Sequence, residues 1–554
     1  MARFGGCRGA APAAPAVVCC AKLSGPWGKM EIMSFSRRAV SAAVMLAALA
    51  VTACSSGGSA PASRAAKGGD GTGTTAIVPH ASTLHWHPCT GQLAGMQCGT
   101  VQVPVDYANP DGRKLTLALS MVPATAPKSQ QQGVLLVNPG GPGAPGRSLA
   151  SDVAQGMPAR LAAAYDIVGF DTRGTGASVP ALSCDPGFFS GDRPDYIPAN
   201  AAAEQVLIAR AEAYAAGCEQ RFGWLLPYET TVNMARDMDT IRAAFGVQKI
   251  SYVGYSAGTY LGQVYGTLFP DRVRRMVLDS TVDPTDAWYR DNLEQDYAFQ
   301  DRMDAWYAWM AKYDAQYHLG GTQAQVRAAF YQARDKLKTD PVPGPDGRPL
   351  IGPAEFDDTF IYAGYFEQTW PGLAAALAQY LNTGDTSGLL NQYEAWAAQP
   401  ENYFAVYTAV QCDDAAWPRD WAQWQSDATR IYQTAPFQAW DNTWFNAACA
   451  FWPVKAPAKP FAVNGAKLPP ILMLQGTLDA ATPYAGAQSA HKLLPTARMV
   501  VVEGGGTHGQ TLQSPPNTCV NGYFDNYLAY GALPTAPGLV NATCPTTPQP
   551  TPGS

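Results

Sequence analysis

Short apolar runs alternate with segments of helical period through residues 85–284 of the chain. The runs at 115–122 and 250–253 have the length and composition of strands, whereas the apolar positions of 231–245 recur with the period of a helix. Strands that alternate with helices predict a mostly parallel sheet with right-handed crossovers. Further strands are predicted at 133–137, 165–170 and 275–278.

The pattern changes between residues 285 and 450. This segment carries many Trp, Tyr, Ala and Gln residues at helical spacing and few strand-like runs, as in AWYAWM at 305–310. Most of its aromatic stripes are expected to pack helices together, although some could line an apolar channel. Alternation of strands and helices resumes in 451–545, with strands predicted at 471–474 and 499–502. We therefore expect one α/β domain, flanked by helices and split by a large, mostly helical cap.

The N-terminal part of the chain has the composition of an export signal. Two arginines precede an uncharged apolar stretch at 39–53, which is too short to span a bilayer comfortably. We predict a signal peptide at 33–53, and residues 1–32 read as an over-long start. The stretch ends in VTAC, which resembles the lipobox of bacterial lipoproteins and implies a diacylglycerol on the sulfur of Cys54; an ordinary cleaved signal is the alternative. The chain is thus expected outside the cytoplasm, anchored to the membrane by lipid or secreted.

Two segments lack the apolar content to form a core. Residues 54–84 are rich in Ser, Gly, Ala, Thr and Pro and predict a flexible tether, and 546–554 predict a disordered tail. Charged residues make up 15% of the 554-residue chain, and the net charge is −6. Because there is no basic excess, nucleic acid is not expected as a partner. The sequence does not indicate an oligomeric state.

The eight cysteines that follow Cys54 indicate disulfide bonds, since their number is even and an exported chain reaches an oxidising compartment. They fall in four sequence-local couples, whose pairing we favour over other connectivities; buried free thiols are the alternative. None has the spacing of metal ligands, so no zinc site is expected. The favoured pairs are Cys89–Cys98, Cys184–Cys218, Cys412–Cys449 and Cys519–Cys544.

Residues 254–258 form a G-x-S-x-G motif between a predicted strand and a helix-compatible run. This context is the one that a nucleophile elbow requires. The sharp turn leaves no room for side chains beside the serine, and it projects the hydroxyl at the N-terminus of a helix, where backbone amides favour developing negative charge. Ser256 is therefore the candidate nucleophile.

A serine nucleophile needs a base, and the chain has six histidines. His508 lies in the glycine-rich run GGGTHG, shortly after the strand predicted at 499–502. In hydrolases of this architecture the order along the chain is Ser, acid, His, with the histidine on a late loop. His508 is the candidate base, and His491, in a helix-like stretch, is the alternative.

The acid that orients the histidine should lie at the carboxyl end of a strand, where functional groups gather in open α/β sheets. Asp479 follows the strand predicted at 471–474 and precedes His508 along the chain. Asp279 and Asp283 follow an earlier strand and compete for the same role. Asp479 is the candidate acid.

An oxyanion hole needs two hydrogen-bond donors, commonly backbone amides. The amide of Ala257, directly after the nucleophile, is the first candidate, and Gly141 in the NPGGPG run at 138–143 supplies the second. Glycine lets the backbone approach a substrate closely, although a plain Gly/Pro turn would have the same sequence. This chemistry needs no metal and no organic cofactor, so neither is expected.

With these motifs the chain resembles the tripeptidyl aminopeptidase-like branch of the α/β-hydrolase superfamily, which is related to prolyl aminopeptidases. The resemblance covers roughly residues 85–545. It implies the α/β-hydrolase fold and an exported serine peptidase that releases short peptides, often tripeptides, from the free N-termini of peptide substrates. Relatives are also described as carboxylesterases, so an esterase of the same fold is an alternative; a catalytically inactive, lipid-anchored binding protein is an alternative of another class. The similar segments are CGTVQVPVDY at 98–107, PGGPG at 139–143, DTRGTGAS at 171–178, GYSAGTYLG at 254–262, and the surroundings of Asp479 and His508.

An exopeptidase needs a group that holds the ammonium of its substrate, and a carboxylate in the cap would serve. Asp413 and Asp414 stand beside Cys412, which a disulfide would fix in place. They are the candidates for this role, although two solvated aspartates on a loop would have the same sequence. Glu229 is a further candidate.

Overall fold

The structure is a computed structural model that describes residues 84–398 and 400–553. The predicted signal peptide at 33–53, the predicted lipid attachment at Cys54 and all but the last residue of the predicted tether lie outside the described residues.

A ten-stranded sheet forms the centre of the described part of the chain, with strand order 1-2-3-5-4-6-7-10-11-12. The first three strands pair antiparallel, strand 3 pairs antiparallel with strand 5, and the remaining neighbours are parallel. A separate two-stranded hairpin lies in the cap. The strands are β1 His87–Pro88, β2 Gln97–Pro104, β3 Lys114–Val122, β4 Gly133–Asn138, β5 Tyr165–Phe170, β6 Ile250–Tyr255, β7 Val273–Asp279, β8 Val342–Pro343, β9 Pro349–Ile351, β10 Ile471–Gly476, β11 Ala497–Glu503 and β12 Ala542–Pro545.

The seven strands predicted from apolar runs are confirmed, with ends shifted by a few residues. Every residue of β6 and β10 is buried, as is all of β4 after its first glycine. Strands covered on both faces read as continuous apolar runs rather than as alternating ones. The edge-side strand β2, by contrast, alternates buried and exposed residues along part of its length.

Helices pack on the sheet and build the cap. The helix predicted at 231–245 is confirmed as α4, and the side chain of Thr230 caps it by accepting a hydrogen bond from the amide of Asn233. The helices are α1 Leu149–Gly156, α2 Ala159–Ala162, α3 Ala201–Phe222, α4 Thr231–Ala244, α5 Ala257–Leu268, α6 Tyr289–Lys312, α7 Asp314–Tyr317, α8 Gln323–Lys336, α9 Pro353–Phe360, α10 Tyr362–Tyr365, α11 Trp370–Thr383, α12 Ser387–Gln392, α13 Glu401–Asp414, α14 Trp421–Tyr432, α15 Ala439–Asn446, α16 Ala448–Phe451, α17 Tyr484–Leu493 and α18 Thr518–Tyr530.

The cap consists of α6 to α16 with the β8–β9 hairpin and has an aromatic core of its own. Trp306, Trp309 and Trp370 are almost completely buried there. The ring of Phe330 packs edge-on against Trp306 and against neighbouring phenylalanines. As expected, most of the aromatic stripes of this segment hold helices together.

One helix of the first part of the predicted core, 85–284, also contacts the cap. Helix α3 lies against the cap, where Tyr214 donates a hydrogen bond to Glu401 (2.8 Å) and Glu204 accepts one from Trp421 (2.9 Å). Tyr214 and Cys218 of the same helix also belong to the buried cluster that includes residues of β3 and β6, so the division at 284 stays a prediction. A helix between two strands has the pattern of an ordinary crossover, and its periodicity does not reveal which layer it packs against.

The eight cysteines form the four disulfides that the sequence favours, Cys89–Cys98, Cys184–Cys218, Cys412–Cys449 and Cys519–Cys544. Four disulfides are consistent with a protein that folds outside the cytoplasm. Within the described ranges, no helix combines the length and the apolar character needed to cross a bilayer.

The C-terminal tail differs from the disorder expected for 546–554. It follows β12, which pairs with β11 and carries Cys544 of the last disulfide. Further on, the carbonyl of Pro550 accepts a hydrogen bond from the indole of Trp309 in α6 (2.9 Å). The tail therefore contacts the cap at Pro550, through a donor on the buried Trp309. The proline-rich sequence of the tail does not predict this contact.

Candidate active site

Ser256 occupies the turn between β6 and α5 in a strained backbone conformation. Its φ of 56° and ψ of −130° lie in a region that non-glycine residues rarely adopt. Its amide donates to the carbonyl of Asp279 at the end of the neighbouring strand β7 (3.1 Å). The side chain is only partly buried. The turn thus holds the serine at the carboxyl edge of the sheet, as a nucleophile elbow requires.

The glycines on either side of Ser256 are needed for space. A Cβ at Gly254 would collide with the carbonyl of Gly258, and a Cβ at Gly258 would lie 2.7 Å from the side-chain oxygen of Asn138. Neither contact is possible for a larger residue without a shift of the backbone. Close packing of β6, α5 and the end of β4 explains the spacing of the motif.

His508 and Asp479 form a buried pair. The imidazole Nδ1 lies 2.9 Å from Oδ1 and 3.0 Å from Oδ2 of the carboxylate, and the residues are 6% and 2% exposed. The same carboxylate accepts hydrogen bonds from the amides of Ala481 and Thr482 (3.1 Å each) and from the Thr482 hydroxyl (3.0 Å). These donors fix the orientation of the carboxylate toward His508.

The competing acids have other partners. Asp279 accepts hydrogen bonds from the amides of Gln510 (2.7 Å) and Thr511 (2.9 Å), two and three residues after His508. Burial raises the pKa of Asp279 to about 6. Asp283 accepts from the amide and hydroxyl of Thr285. Asp279 therefore anchors the histidine loop, and neither residue pairs with the imidazole.

The alternative base, His491, lies in α17. Its Nε2 is hydrogen-bonded to the carbonyl of Ala497 (3.1 Å), at the start of β11. The structure therefore brings His508, and not His491, to Asp479.

The cap holds the histidine loop from the other side. The amide of His508 donates to the carbonyl of Tyr365 (2.8 Å), whose ring packs edge-on against the imidazole. Arg302 of α6 forms an ion pair with Glu367, and its guanidinium presses so closely on Gly506 that a Cβ at that position would collide with it. The sequence analysis did not identify Arg302 or Glu367. The only signal for a close approach is the triple glycine that precedes His508.

The glycine-rich loop after β4 lies directly against the elbow. A Cβ at Gly140 would be 2.8 Å from the amide nitrogen of Ala257, and the Gly140 amide already donates to Asn138 Oδ1 (2.9 Å). Gly141, with a φ of 108°, faces the ring of Tyr403 in α13. Ala257 is the first residue of α5, where amides have no acceptor within the helix. The two candidate oxyanion donors are thus on adjoining loops.

The cap covers this region with tyrosines. The ring of Tyr403 packs near that of Tyr407 (6.2 Å between centroids), and Tyr362 packs near Tyr365 (5.9 Å). Burial raises the pKa of Tyr403, and the charge of a neighbouring Tyr362 would raise it further. These side chains form an amphipathic surface above the glycine loop and His508, which suits contact with a peptide.

The structure gives Asp413 and Asp414 structural partners. Asp414 accepts hydrogen bonds from the amide (2.8 Å) and hydroxyl (2.6 Å) of Thr231, and Asp413 accepts one from the indole of Trp452 (2.7 Å). The second oxygen of Asp413 and both oxygens of Glu229 are sealed from solvent and have no hydrogen-bond donor among the described residues. Burial raises the pKa of Glu229 to about 8. The three candidates share one enclosed region. Burial raises the pKa of Asp413 most, and the charges of Asp414 and Glu229 raise it further.

The chain matches a protein family and several known proteins. A family model described as the alpha/beta hydrolase fold matches residues 133–511. A tripeptidyl aminopeptidase of Streptomyces lividans is 42% identical over 462 residues, which cover 81% of this chain and 84% of the relative. The chain belongs to the tripeptidyl aminopeptidase-like branch of the α/β-hydrolases. The resemblance predicted from the motifs is confirmed, and this α/β-hydrolase is a serine peptidase.

Other relatives of the peptidase carry two kinds of name. Serine protease Hip1 of Mycobacterium tuberculosis is 33% identical over 81% of this chain and 89% of that protein. Carboxylesterase B of the same organism is 33% identical over 83% and 90%. Among solved structures, a thermophilic esterase from Thermogutta terrifontis is similar with a TM-score of 0.36 at 14% identity, over 77% of this chain and 97% of that chain. A proline iminopeptidase-related protein from Thermus thermophilus has a TM-score of 0.32 at 14% identity, over 78% and 96%.

No cluster of His, Cys, Asp or Glu in residues 84–398 and 400–553 is arranged to hold a metal ion.

Proposed function

We propose that this serine peptidase releases tripeptides from the free N-termini of peptides, through an acyl-enzyme formed on Ser256. The proposal is carried by the 42% identity with a tripeptidyl aminopeptidase that extends over 84% of the relative. The strained elbow and the buried His508–Asp479 pair support the chemistry, because they are the parts that acyl transfer to a serine needs.

The mechanism assigns one task to each group. His508 Nε2 takes the proton of Ser256 as the hydroxyl attacks the scissile carbonyl, and then gives it to the leaving amine. Asp479 holds the Nδ1–H of His508 and stabilises the imidazolium. The amides of Ala257 and Gly141 receive the oxyanion of the tetrahedral intermediate. A water molecule, activated by the same histidine, then releases the peptide acid.

Ser256→Ala tests the chemistry. Loss of the nucleophile is expected to lower kcat by a factor on the order of 10⁴ or more, while the melting temperature changes little because the residue is only partly buried. Turnover of a chromogenic tripeptide substrate and a thermal melt measure the two quantities. Near-normal turnover by a folded variant would remove Ser256 from the mechanism.

The product length tests the specificity. A ladder of unblocked peptides of increasing length, digested with the purified enzyme and analysed by mass spectrometry, is expected to yield tripeptides stepwise from the N-terminus. Single residues or internal fragments as first products would contradict a tripeptidyl aminopeptidase.

A carboxylesterase is the second candidate function. It is favoured by one observation, the 33% identity with Carboxylesterase B over 90% of that protein. The same elbow and histidine–aspartate pair serve esters and amides alike. Comparison of kcat/KM for an unblocked tripeptide amide and for simple acyl esters of similar size separates the two. An enzyme that hydrolyses only the esters would be an esterase.

We further propose that the enzyme is exported and held at the membrane by a lipid on Cys54. The support is the lipobox-like VTAC sequence and a disulfide content suited to an oxidising compartment. Cys54→Ala is expected to move the enzyme from the membrane fraction to the soluble or secreted fraction, whereas Ser55→Ala serves as the control. Retention of the Cys54→Ala variant in the membrane would contradict the lipid anchor.

A further inference from the structure

Asp291 is a buried carboxylate in the first turn of α6 to which the structure offers no donor. The residue is 6% exposed, and no group in the described parts of the chain donates a hydrogen bond to its side chain or pairs with it. Unlike the carboxylate of Glu229, its oxygens are not sealed from solvent-sized space. An acid in the first turn favours a helix modestly, but it does not have to be buried to do so. A buried carboxylate without a partner is costly, and either a proton or a cationic donor relieves that cost.

One neighbour of Asp291 leads to the glycine loop of the active site. Asn292 donates to the side chain of Gln411 (3.0 Å) and accepts from the hydroxyl of Tyr407 (3.4 Å). The amide nitrogen of Tyr407 would lie 3.1 Å from a Cβ placed on Gly143. The N-terminal turn of α6 thus lies beside the helix that covers the candidate oxyanion donors.

Another neighbour leads to the catalytic acid. Gln295 donates to the carbonyl of Ala481 (2.7 Å), in the loop that carries Asp479. Residues four apart in a helix lie on the same face, so Asp291 lies one turn from Gln295 on the face directed at that loop. Asp291 therefore lies in a helical turn whose neighbouring residues contact α13 and the loop of Asp479.

The electrostatic environment of Asp291 is wholly negative. Burial raises its pKa well above the ordinary value, and the carboxylates of Asp283, Asp286 and Glu294 raise it further, with no cationic side chain acting in the opposite direction. The arginine next to it in sequence, Arg290, is mostly exposed and lies 3.6 Å from Asp286. Such an environment favours a proton or a positively charged ligand at Asp291.

We propose that Asp291 receives the α-ammonium group of the substrate and so sets which peptide bond reaches Ser256. The inference rests on the proposed aminopeptidase function and replaces Asp413, Asp414 and Glu229 in that role. Those three carboxylates are sealed from the cleft or already hydrogen-bonded, so an ammonium could reach them only after the cap rearranged.

One aromatic pair links the helix of the elbow to the start of α6. Tyr260 follows Ser256 by one turn of α5, about 6 Å along the helix, and its ring packs edge-on against Trp288 (5.2 Å between centroids). Asp291 is one turn beyond Trp288.

The test is the ratio of kcat/KM for a tripeptidyl aminomethylcoumarin with a free N-terminus to that for its N-acetylated form. For the wild-type enzyme we expect a ratio of ten or more. Asp291→Asn should reduce it at least tenfold, mainly through the free substrate, since a hydrogen bond to a charged group corresponds to about one to two powers of ten. Asp291→Glu keeps the charge and should retain a ratio above one. Glu294→Gln removes an exposed charge one turn away and should leave the ratio unchanged.

The outcomes separate the two proposals. A wild-type ratio near one would overturn the aminopeptidase function itself. A wild-type preference that survives in Asp291→Asn would overturn only the assignment of Asp291. Asp441 is the matched comparison, because it is equally buried and lies near Tyr365, but its charge is partly offset by Arg193. Collapse of the ratio in Asp441→Asn alone would also overturn the assignment of Asp291. If Asp291→Asn does not fold, Asp291→Glu must change the ratio or the length of the released peptide, and an unchanged result would count against the proposal.

Discussion

Thr482 shows how much of the catalytic geometry depends on a residue outside any motif. Its hydroxyl and its amide both donate to Asp479, three positions earlier, on the carboxylate that also contacts His508. A carboxylate held by several donors keeps a single orientation, and the imidazole is held with it. The role of Thr482 follows from a local turn that sequence spacing alone does not distinguish from many others.

Thr482→Val keeps the shape of the side chain and removes the hydroxyl donor. We expect kcat to fall about tenfold or more with a smaller change in KM, because a hydrogen bond to a charged group is worth about 1.5–3 kcal/mol and about 1.4 kcal/mol corresponds to a factor of ten. Steady-state kinetics measure both constants. Thr482→Ser retains the hydroxyl and should remain close to the wild type, and an unchanged kcat in the valine variant would show that the amides suffice.

Asp479→Asn and Asp279→Asn separate the two acids at the end of neighbouring strands. The first change should lower kcat by several powers of ten, since an amide cannot hold the imidazole in the required tautomer. The second removes acceptors of the amides of Gln510 and Thr511, so it should lower the melting temperature more and kcat less. The opposite ranking of kcat in folded proteins would assign the catalytic acid to Asp279.

At the scale of elements, the histidine loop is joined to the cap as firmly as to the sheet. Asp279 at the end of β7 holds it on one side, and Tyr365, Arg302 and Glu367 hold it on the other. Residues of α6, of the end of α10 and of the segment that follows it therefore pack against the loop of the candidate base, His508.

Arg302→Gln removes the charge that pairs with Glu367 and presses on Gly506. A displacement of the base by about 1 Å can cost on the order of a hundredfold in rate, so we expect kcat to fall at least tenfold and KM to change less. Arg302→Lys should recover part of the loss because it restores the charge. Arg327→Gln, which removes a looser surface pair with Asp304 (3.9 Å), is the control; equal losses in Arg302→Gln and Arg327→Gln would contradict a positioning role.

The elements differ in how far the sequence predicts them. The sequence predicts β6, β10 and the elbow well, because a buried strand, a glycine pair and a serine are local features. The chain order of Ser256, Asp479 and His508 follows from the fold class. The packing partner of α3, the docking of Pro550 on Trp309 and the clamp of Arg302 are contacts between distant segments. The periodicity of the sequence does not predict these contacts, because each depends on which surfaces meet after folding.

At the scale of the whole molecule, the disulfides close loops of very different length. Cys412–Cys449 joins α13 to α16 across 37 residues, whereas Cys89–Cys98 closes only nine at the edge of the sheet. A cross-link stabilises mainly by restricting the unfolded chain, and more so for a longer loop. The cap should therefore owe more of its stability to its disulfide than the N-terminal edge does.

Replacement of both cysteines of each pair by serine tests this difference. Loop entropy predicts a loss of about 4 kcal/mol for the 412–449 pair and about 2.5 kcal/mol for the 89–98 pair. Chemical denaturation of the two double variants, each against the oxidised wild type, measures the losses. A larger loss for the 89–98 pair would show that local strain or packing, and not loop length, determines the effect.

Tyr365 holds His508 through its main-chain carbonyl, so this contact does not depend on the tyrosine side chain. No side-chain replacement removes that acceptor, so alanine scanning would overlook it. The bond breaks when one of the two backbone segments moves, so displacement of the segment around Tyr365 is expected to displace the candidate base as well. Labelling of Ser256 by a fluorophosphonate should therefore slow when a cross-link props this segment away from the loop, and unchanged labelling would exclude such coupling.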